Sequence, residues 1–330
     1  MALCRIRVIC LLLLAWLGVG CDGPRQWLAS SANDGIAYFL YDDALLERYD
    51  LDAEAWLPPI ALSGTPTGFA VDDDGIYVAF GRRVSRLSLD GQTEVPLENT
   101  TADVRFLATD GNLLFLFGSY TPILSVDKFS GDRLGSTDPF YSMIGISVSR
   151  STNRLVGRSS NVSPSDIVSI GYDDAGVFSS QIDSPYHGDY PGASRTWMFP
   201  DDARVVDDSG IIYFTNDLRF SGALGGLIED LAFYGELPIV LRGDTLYAYD
   251  NTFVEAGRLA LDVAPSQIYV HGDTVYAFTG VEGATDVIAV PIADIGPVEP
   301  GLPIDATGLA YTPDQIVLGT DDIVYLLSSQ

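Results

Sequence analysis

Three observations predict an all-β chain built as a single β-propeller of eight, alternatively seven, mostly four-stranded blades. A strand phrase recurs along the chain, its units repeat at about 40 residues, and no segment after residue 25 carries the spacing of three and four that marks a helix. The phrase is a turn with Asp or Gly followed by a β-branched and aromatic run. It reads DGIAYFL from Asp34, DGIYVAF from Asp74, DGNLLFLF from Asp110, SGIIYFT from Ser209, GDTLYAYD from Gly243, GDTVYAFT from Gly272 and DDIVYLLS from Asp321. A second phrase follows several of these, alternating apolar and polar residues toward an Asp: LLERYDLDAE from Leu45, VSRLSLDG from Val84, ILSVDKFSG from Ile123, IVSIGYDDAG from Ile167 and DVIAVPIAD from Asp286. Period-two alternation is the pattern of a strand with one buried face.

The clearest unit, residues 67–98, divides into four strands, TGFAVDD, GIYVAFG, RVSRLSLD and TEVPLE, with Gly and Asp turns between them. Used as a template, it places first strands near Trp27, Gly68, Arg105, Gly145, Thr196, Leu231, Ser266 and Gly308. The eighth unit then has room for three strands only, and the N-terminal segment is expected to cover the edge this leaves. Between Gly145 and Ala264 the phasing is open, because LPIVLRGDTLYAYD fits two registers. A ring also disposes of the unpaired edges that so many short strands would otherwise expose.

The N-terminus reads as a targeting signal. Arg5 and Arg7 form a basic start, residues 8–20 an uncharged apolar run, and Gly18 and Gly20 the small residues before a cleavage point. That run is 13 residues, short of the roughly 20 needed to span a bilayer. Leu17-Gly18-Val19-Gly20-Cys21 resembles the lipobox of bacterial lipoproteins, a resemblance that implies cutting before Cys21 and lipid on its thiol. Cys4 and Cys10 leave with such a signal, so the exported chain keeps one cysteine with no partner for a disulfide. The expected organisation is a signal peptide over 1–20, a tether over 21–25 and the propeller over 26–330. The expected location is the bacterial cell envelope, lipid-anchored and facing the periplasm or the cell surface.

The net charge is −27, and loss of Arg5 and Arg7 with the signal takes it to −29. Such a field repels nucleic acid and anionic membrane surfaces, so nucleic acid is not an expected partner. Of the 45 acidic residues 36 are Asp, the residue type that favours turns, and Lys128 is the sole lysine. The charge therefore reads chiefly as a solvated, turn-rich surface.

Motifs for catalysis are sparse. His187 and His271 are the two histidines, no GxSxG nucleophile elbow is present, and neither GxxxxGK[ST] nor a helix-opening GxGxxG occurs. Zinc wants several His or Cys ligands, which this chain lacks. Calcium is the one cation kept in view, because Asp72-Asp73-Asp74, Asp173-Asp174, Asp201-Asp202, Asp207-Asp208 and Asp321-Asp322 offer hard oxygen ligands, although none fits the EF-hand loop. No other cofactor is expected. The largest departure from the repeat is 183–202, DSPYHGDYPGASRTWMFPDD, where Tyr186, His187, Tyr190 and Arg195 gather. Insertions in repeat proteins map to one face, often the binding face, so these four residues are the expected ligand or partner surface. The competing reading starts a core strand at Trp197 and Phe199 and lays the tyrosines over a neighbouring blade.

The repeated phrases resemble the bacterial propellers with YVTN-type or quinoprotein-like repeats, and DLDAEAW ending at Trp56 is similar to the end of a quinoprotein repeat. The tryptophan does not recur at equivalent places, so the resemblance implies the fold and no cofactor. The function expected is a non-catalytic binding or scaffolding propeller at a membrane surface, with a protein or glycan partner. The alternatives are an extracytoplasmic lyase or lactonase using acids in the funnel, or an outer-membrane assembly factor by analogy. Ionisable groups converging in the funnel would favour the enzyme, and an apolar or merely polar funnel would favour binding.

Overall fold

A computed structural model of the chain describes residues 25–118, 122–138, 141–160, 162–281, 284–296, 315–320 and 323–328. The propeller has seven blades, not eight. Six are four-stranded antiparallel sheets in simple chain order, and the seventh has three strands among the described residues. Innermost strands are Trp27–Asn33, Gly68–Asp72, Val104–Asp110, Ser142–Ser149, Thr196–Met198, Asp230–Tyr234 and Gln267–His271. Seven of the eight expected starts thus fall within three residues of an observed strand start.

The eighth expected blade fails because the ring closes without it. Blade 7 rests directly on blade 1: Phe39 meets Phe278 at 4.7 Å between ring centroids, and Tyr49 meets the same ring edge-on at 5.4 Å. Polar ties run alongside. Ser30 Oγ donates to Gln267 Oε1 at 2.7 Å, Tyr276 Oη donates to the Leu51 carbonyl at 2.9 Å, and His271 Nε2 lies 2.7 Å from Asp52 Oδ1. The DDIVYLLS phrase does form a strand, Ile323–Ser328, but in a separate hairpin with Gln315–Thr320. The expected signal peptide, tether and Cys21 lie outside the described residues. Among the described residues the helix content is one turn, Ile292–Ile295, and no helix is long and apolar enough to cross a membrane.

In blades 1, 2, 3 and 7 the recurring aromatic phrase is the second strand, whereas in blades 5 and 6 it is the third, Ile211–Phe214 and Thr245–Tyr249. Ile36–Tyr41, Gly75–Phe80 and Leu113–Gly118 are buried almost throughout, flanked in the sheet by strands one and three and covered on both faces by neighbouring blades. That double burial is why these runs are apolar without alternation, while outermost strands such as Ala55–Ala61 read mostly exposed. The phrase opens on a turn for a backbone reason. Asp34 and Gly35 both take positive φ, 45° and 71°, as a two-residue hairpin of the primed type requires.

Buried charges tie blades together. Lys128 of blade 3 reaches Asp72 at 2.8 Å and Asp74 at 2.7 Å on blade 2. Arg158 of blade 4 meets Asp207 of blade 5 at 2.9 Å, both side chains buried. Many remaining acids are turn residues. Asp50 Oδ1 accepts from the backbone N–H of Asp52 and Ala53, and Asp127, Asp173 and Asp250 repeat the arrangement. Among the described residues no three His, Cys, Asp or Glu side chains converge as a metal ion would require.

Candidate functional site: the mouth of the axial channel

The chain enters every blade on its innermost strand. The starts of those strands, the loops from one blade to the next and the turns between second and third strands therefore share one face. A cavity of about 500 Å³ opens there, lined by Trp27, Leu28 and Ser30 of blade 1, Phe106 of blade 3, Arg195 at the start of blade 5 and Gln267 of blade 7. Residues of blades 1, 3, 5 and 7, drawn from all round the ring, meet only on the axis, so this is the central channel. A second cavity of about 420 Å³ shares Phe106 and adds Arg105, Phe117, Ile144 and Gly145.

Three innermost strands carry a bulge at this end, and each delivers a side chain to one of these two cavities. Trp27 lies opposite Tyr41 and Ala29 opposite Leu40, so Leu28 is the extra residue. In blade 3, Val104 lies opposite Gly118 and Phe106 opposite Phe117, which makes Arg105 the extra one. In blade 4 the register slips between Ile144 and Ser147, at Gly145 with φ 55°. A bulge bends its strand and re-aims the side chains beside it. Leu28, Phe106 and Ile144 stand 41%, 37% and 40% exposed. Large apolar side chains held open on a concave surface are the mark of a recognition site.

Gly145 also sets the spacing of the blades. A Cβ there would run into the Ser194 carbonyl, so only glycine lets the segment leading to Arg195 pass this close. Arg195 is then fixed by its partners. Its Nη1 donates to the Glu229 carbonyl at 3.0 Å, its Nη2 to Asp230 Oδ1 at 3.1 Å, and its guanidinium sits 4.6 Å from the Trp197 ring centre. Asp230 is buried, and its second oxygen accepts from the Ile268 N–H at 2.8 Å. Burial pushes its carboxyl up to about 6, against the pull of Arg195 and the backbone donors. Arg105 is exposed and has no hydrogen bond or ion pair among the described residues. Neither cavity is lined by a carboxylate or an imidazole among the described residues. In a chain of net charge −27, the channel mouth presents cationic and apolar groups.

The four residues expected at the ligand surface separate into two places. Arg195 lines the channel. Tyr186 and Tyr190 instead pack beside the blade 4–blade 5 core of Val156, Ile167, Val205, Tyr213 and Leu218. Tyr190 stacks on Phe220 at 5.6 Å and meets Tyr213 edge-on at 5.9 Å, while Tyr186 Oη accepts from the Phe220 N–H at 2.9 Å. His187 is exposed at a positive φ of 43°, with Nδ1 3.7 Å from Asp183. Sequence reading passed over Leu28, Arg105, Phe106 and Ile144. The signal was present but faint: consecutive residues Arg105 and Phe106 break the in–out alternation of a first strand, as a bulge does.

No family model matches the chain, and no curated protein matches it. Solved structures do match in fold. The computationally designed Ika8 protein aligns over 80% of this chain and 84% of its own at 15% identity, with a TM-score of 0.59. Hydrazine synthase of Kuenenia stuttgartiensis aligns over 78% and 92% at 13% identity and 0.57, and the WD40 β-propeller domain of Doa1 over 81% and 96% at 10% and 0.56. Identities this low speak to the propeller fold alone.

Proposed function

We propose that the protein is a non-catalytic binding propeller, exported and held at a bacterial membrane by lipid on Cys21, with its ligand seated in the channel mouth. The observation that carries the binding reading is a pair of cavities sharing Phe106, one lined by Leu28 and Arg195 and the other by Arg105 and Ile144, without lining carboxylates or imidazoles among the described residues. Groups of this kind recognise; they do not shuttle protons. The acids that a lyase or lactonase would draw on are found instead holding turns and blade contacts. The anchor is supported by the lipobox-like run before Cys21 and by the lack of any later cysteine.

Two measurements test this. Fatty-acid labelling is expected to mark the wild type and not Cys21→Ala, and equal label in both would remove the anchor. A photo-crosslinking amino acid at Leu28 in the exporting host is expected to give a discrete adduct that the same group at Val177, exposed on a blade 4 turn, does not. Indistinguishable adducts at the two positions would end the channel reading.

A further inference from the structure

We infer that the ligand of the channel mouth is a small amphipathic carboxylate, an apolar or aromatic body ending in one carboxylate held by Arg105. The inference rests on the channel being the binding site. Its first support is the contrast between the two arginines. Arg195 already gives its guanidinium to the Glu229 carbonyl and to Asp230 and lies over Trp197, so it forms a wall of the site. Arg105 stands on a bulge, exposed and with no counter-charge among the described residues, in a protein where acids outnumber bases by 45 to 18. A guanidinium left unpaired at a concave site offers a planar fork of donors that matches a carboxylate.

The second support is what surrounds that fork. Phe106 adjoins Arg105 along the strand, Ile144 lies across the cavity they share, and Leu28 continues the apolar lining toward blade 1. Ligand pockets run from about 300 to 1,000 Å³, so the two cavities suit a small molecule or the last residues of a peptide. One free guanidinium beside three apolar side chains fits a monoanion with an apolar body. A phosphate dianion would want further donors. The same chemistry is offered by a free apolar acid and by the C-terminal carboxylate of a hydrophobic peptide.

The test is calorimetric titration of the full exported protein with 3-phenylpropanoate, its amide, N-acetyl-Leu-Phe and the amidated form of that dipeptide. At least one acid is expected to bind about tenfold tighter than its amide, the size of a charge-assisted hydrogen bond. Arg105→Gln is expected to erase the difference, Arg105→Lys to keep part of it, and Arg82→Gln, an exposed arginine outside the cavities, to leave it intact. The pair showing the preference tells the free acid from the peptide terminus. Acid and amide binding equally, both lost in Ile144→Glu, would overturn the carboxylate class while leaving the channel as the site. Binding that survives both Arg105→Gln and Ile144→Glu would overturn class and site together. No binding by any probe up to about 10 mM, where even millimolar contacts register, would overturn the class.

Discussion

Asp230 shows how much one side chain decides here. Its carboxyl is buried between blades 5, 6 and 7, facing Arg195 and the Ile268 N–H. Its folded value of about 6 exceeds the ordinary 3.8, so the folded protein holds this proton where the unfolded chain has lost it. Its contribution to stability is therefore full below about pH 4 and is lost as pH rises through 6, a swing of about 3 kcal/mol. Asp230→Asn imitates the protonated acid. Its melting temperature is expected to match the wild type near pH 4 and to exceed it at pH 8, and a gap that does not widen with pH would refute the assignment. Tyr190 tests a different residue-scale point. Its contacts with Phe220, Tyr213 and Tyr186 make it a packing residue, so Tyr190→Ala is expected to cost about 2–3 kcal/mol in denaturant unfolding while leaving occupancy of the channel unchanged.

At the scale of the strand, what the sequence announces depends on how many sides of the element are buried. Second strands, covered on both faces, must be apolar throughout, so IAYFLY, GIYVAF and LLFLFG were plain to read. Innermost strands face the channel with one side, and their alternation is interrupted by bulges, which no composition rule locates. Of the residues lining the candidate site, sequence reading singled out Arg195 alone, because Leu28, Arg105 and Ile144 sit on or beside those bulges. Charge hides in the same way. Arg158 lies in a second strand, RLVGRSS, where an arginine looks misplaced until Asp207 of the next blade is found against it. Arg158→Met strands the Asp207 carboxylate in the core and is expected to cost about 3–5 kcal/mol, whereas Arg158→Met with Asp207→Leu should recover most of it. Equal losses in the single and double variants would show that the pair does not act as a unit.

The count of blades is a property of the whole ring, and a repeat period cannot supply it. Eight template-placed strand starts suggested eight blades, but whether the last one joins the ring is decided by which surfaces meet at the closure. The aromatic faces of blades 1 and 7 fit one another, with Trp27, Phe39, Tyr49 and Trp56 on one side and Tyr269, Tyr276 and Phe278 on the other. Aromatic pairs in offset or edge-on contact add to the area they bury, so this seam is held by more than loop ends. Since each blade hides its faces only against its neighbours, opening the seam exposes both end blades and removes the support of the rest. Phe278→Ala is therefore expected to cost about 3–5 kcal/mol and to lower one cooperative transition, seen alike by far-ultraviolet circular dichroism and tryptophan fluorescence. The seam contacts named here all come from residues before Gly296. A chain ending there is expected to keep the all-β spectrum and the single transition, with Phe278→Ala as damaging in the shortened chain as in the full one. Loss of the folded spectrum on truncation would mean that the C-terminal hairpin, and not the contact of blade 7 with blade 1, completes the ring.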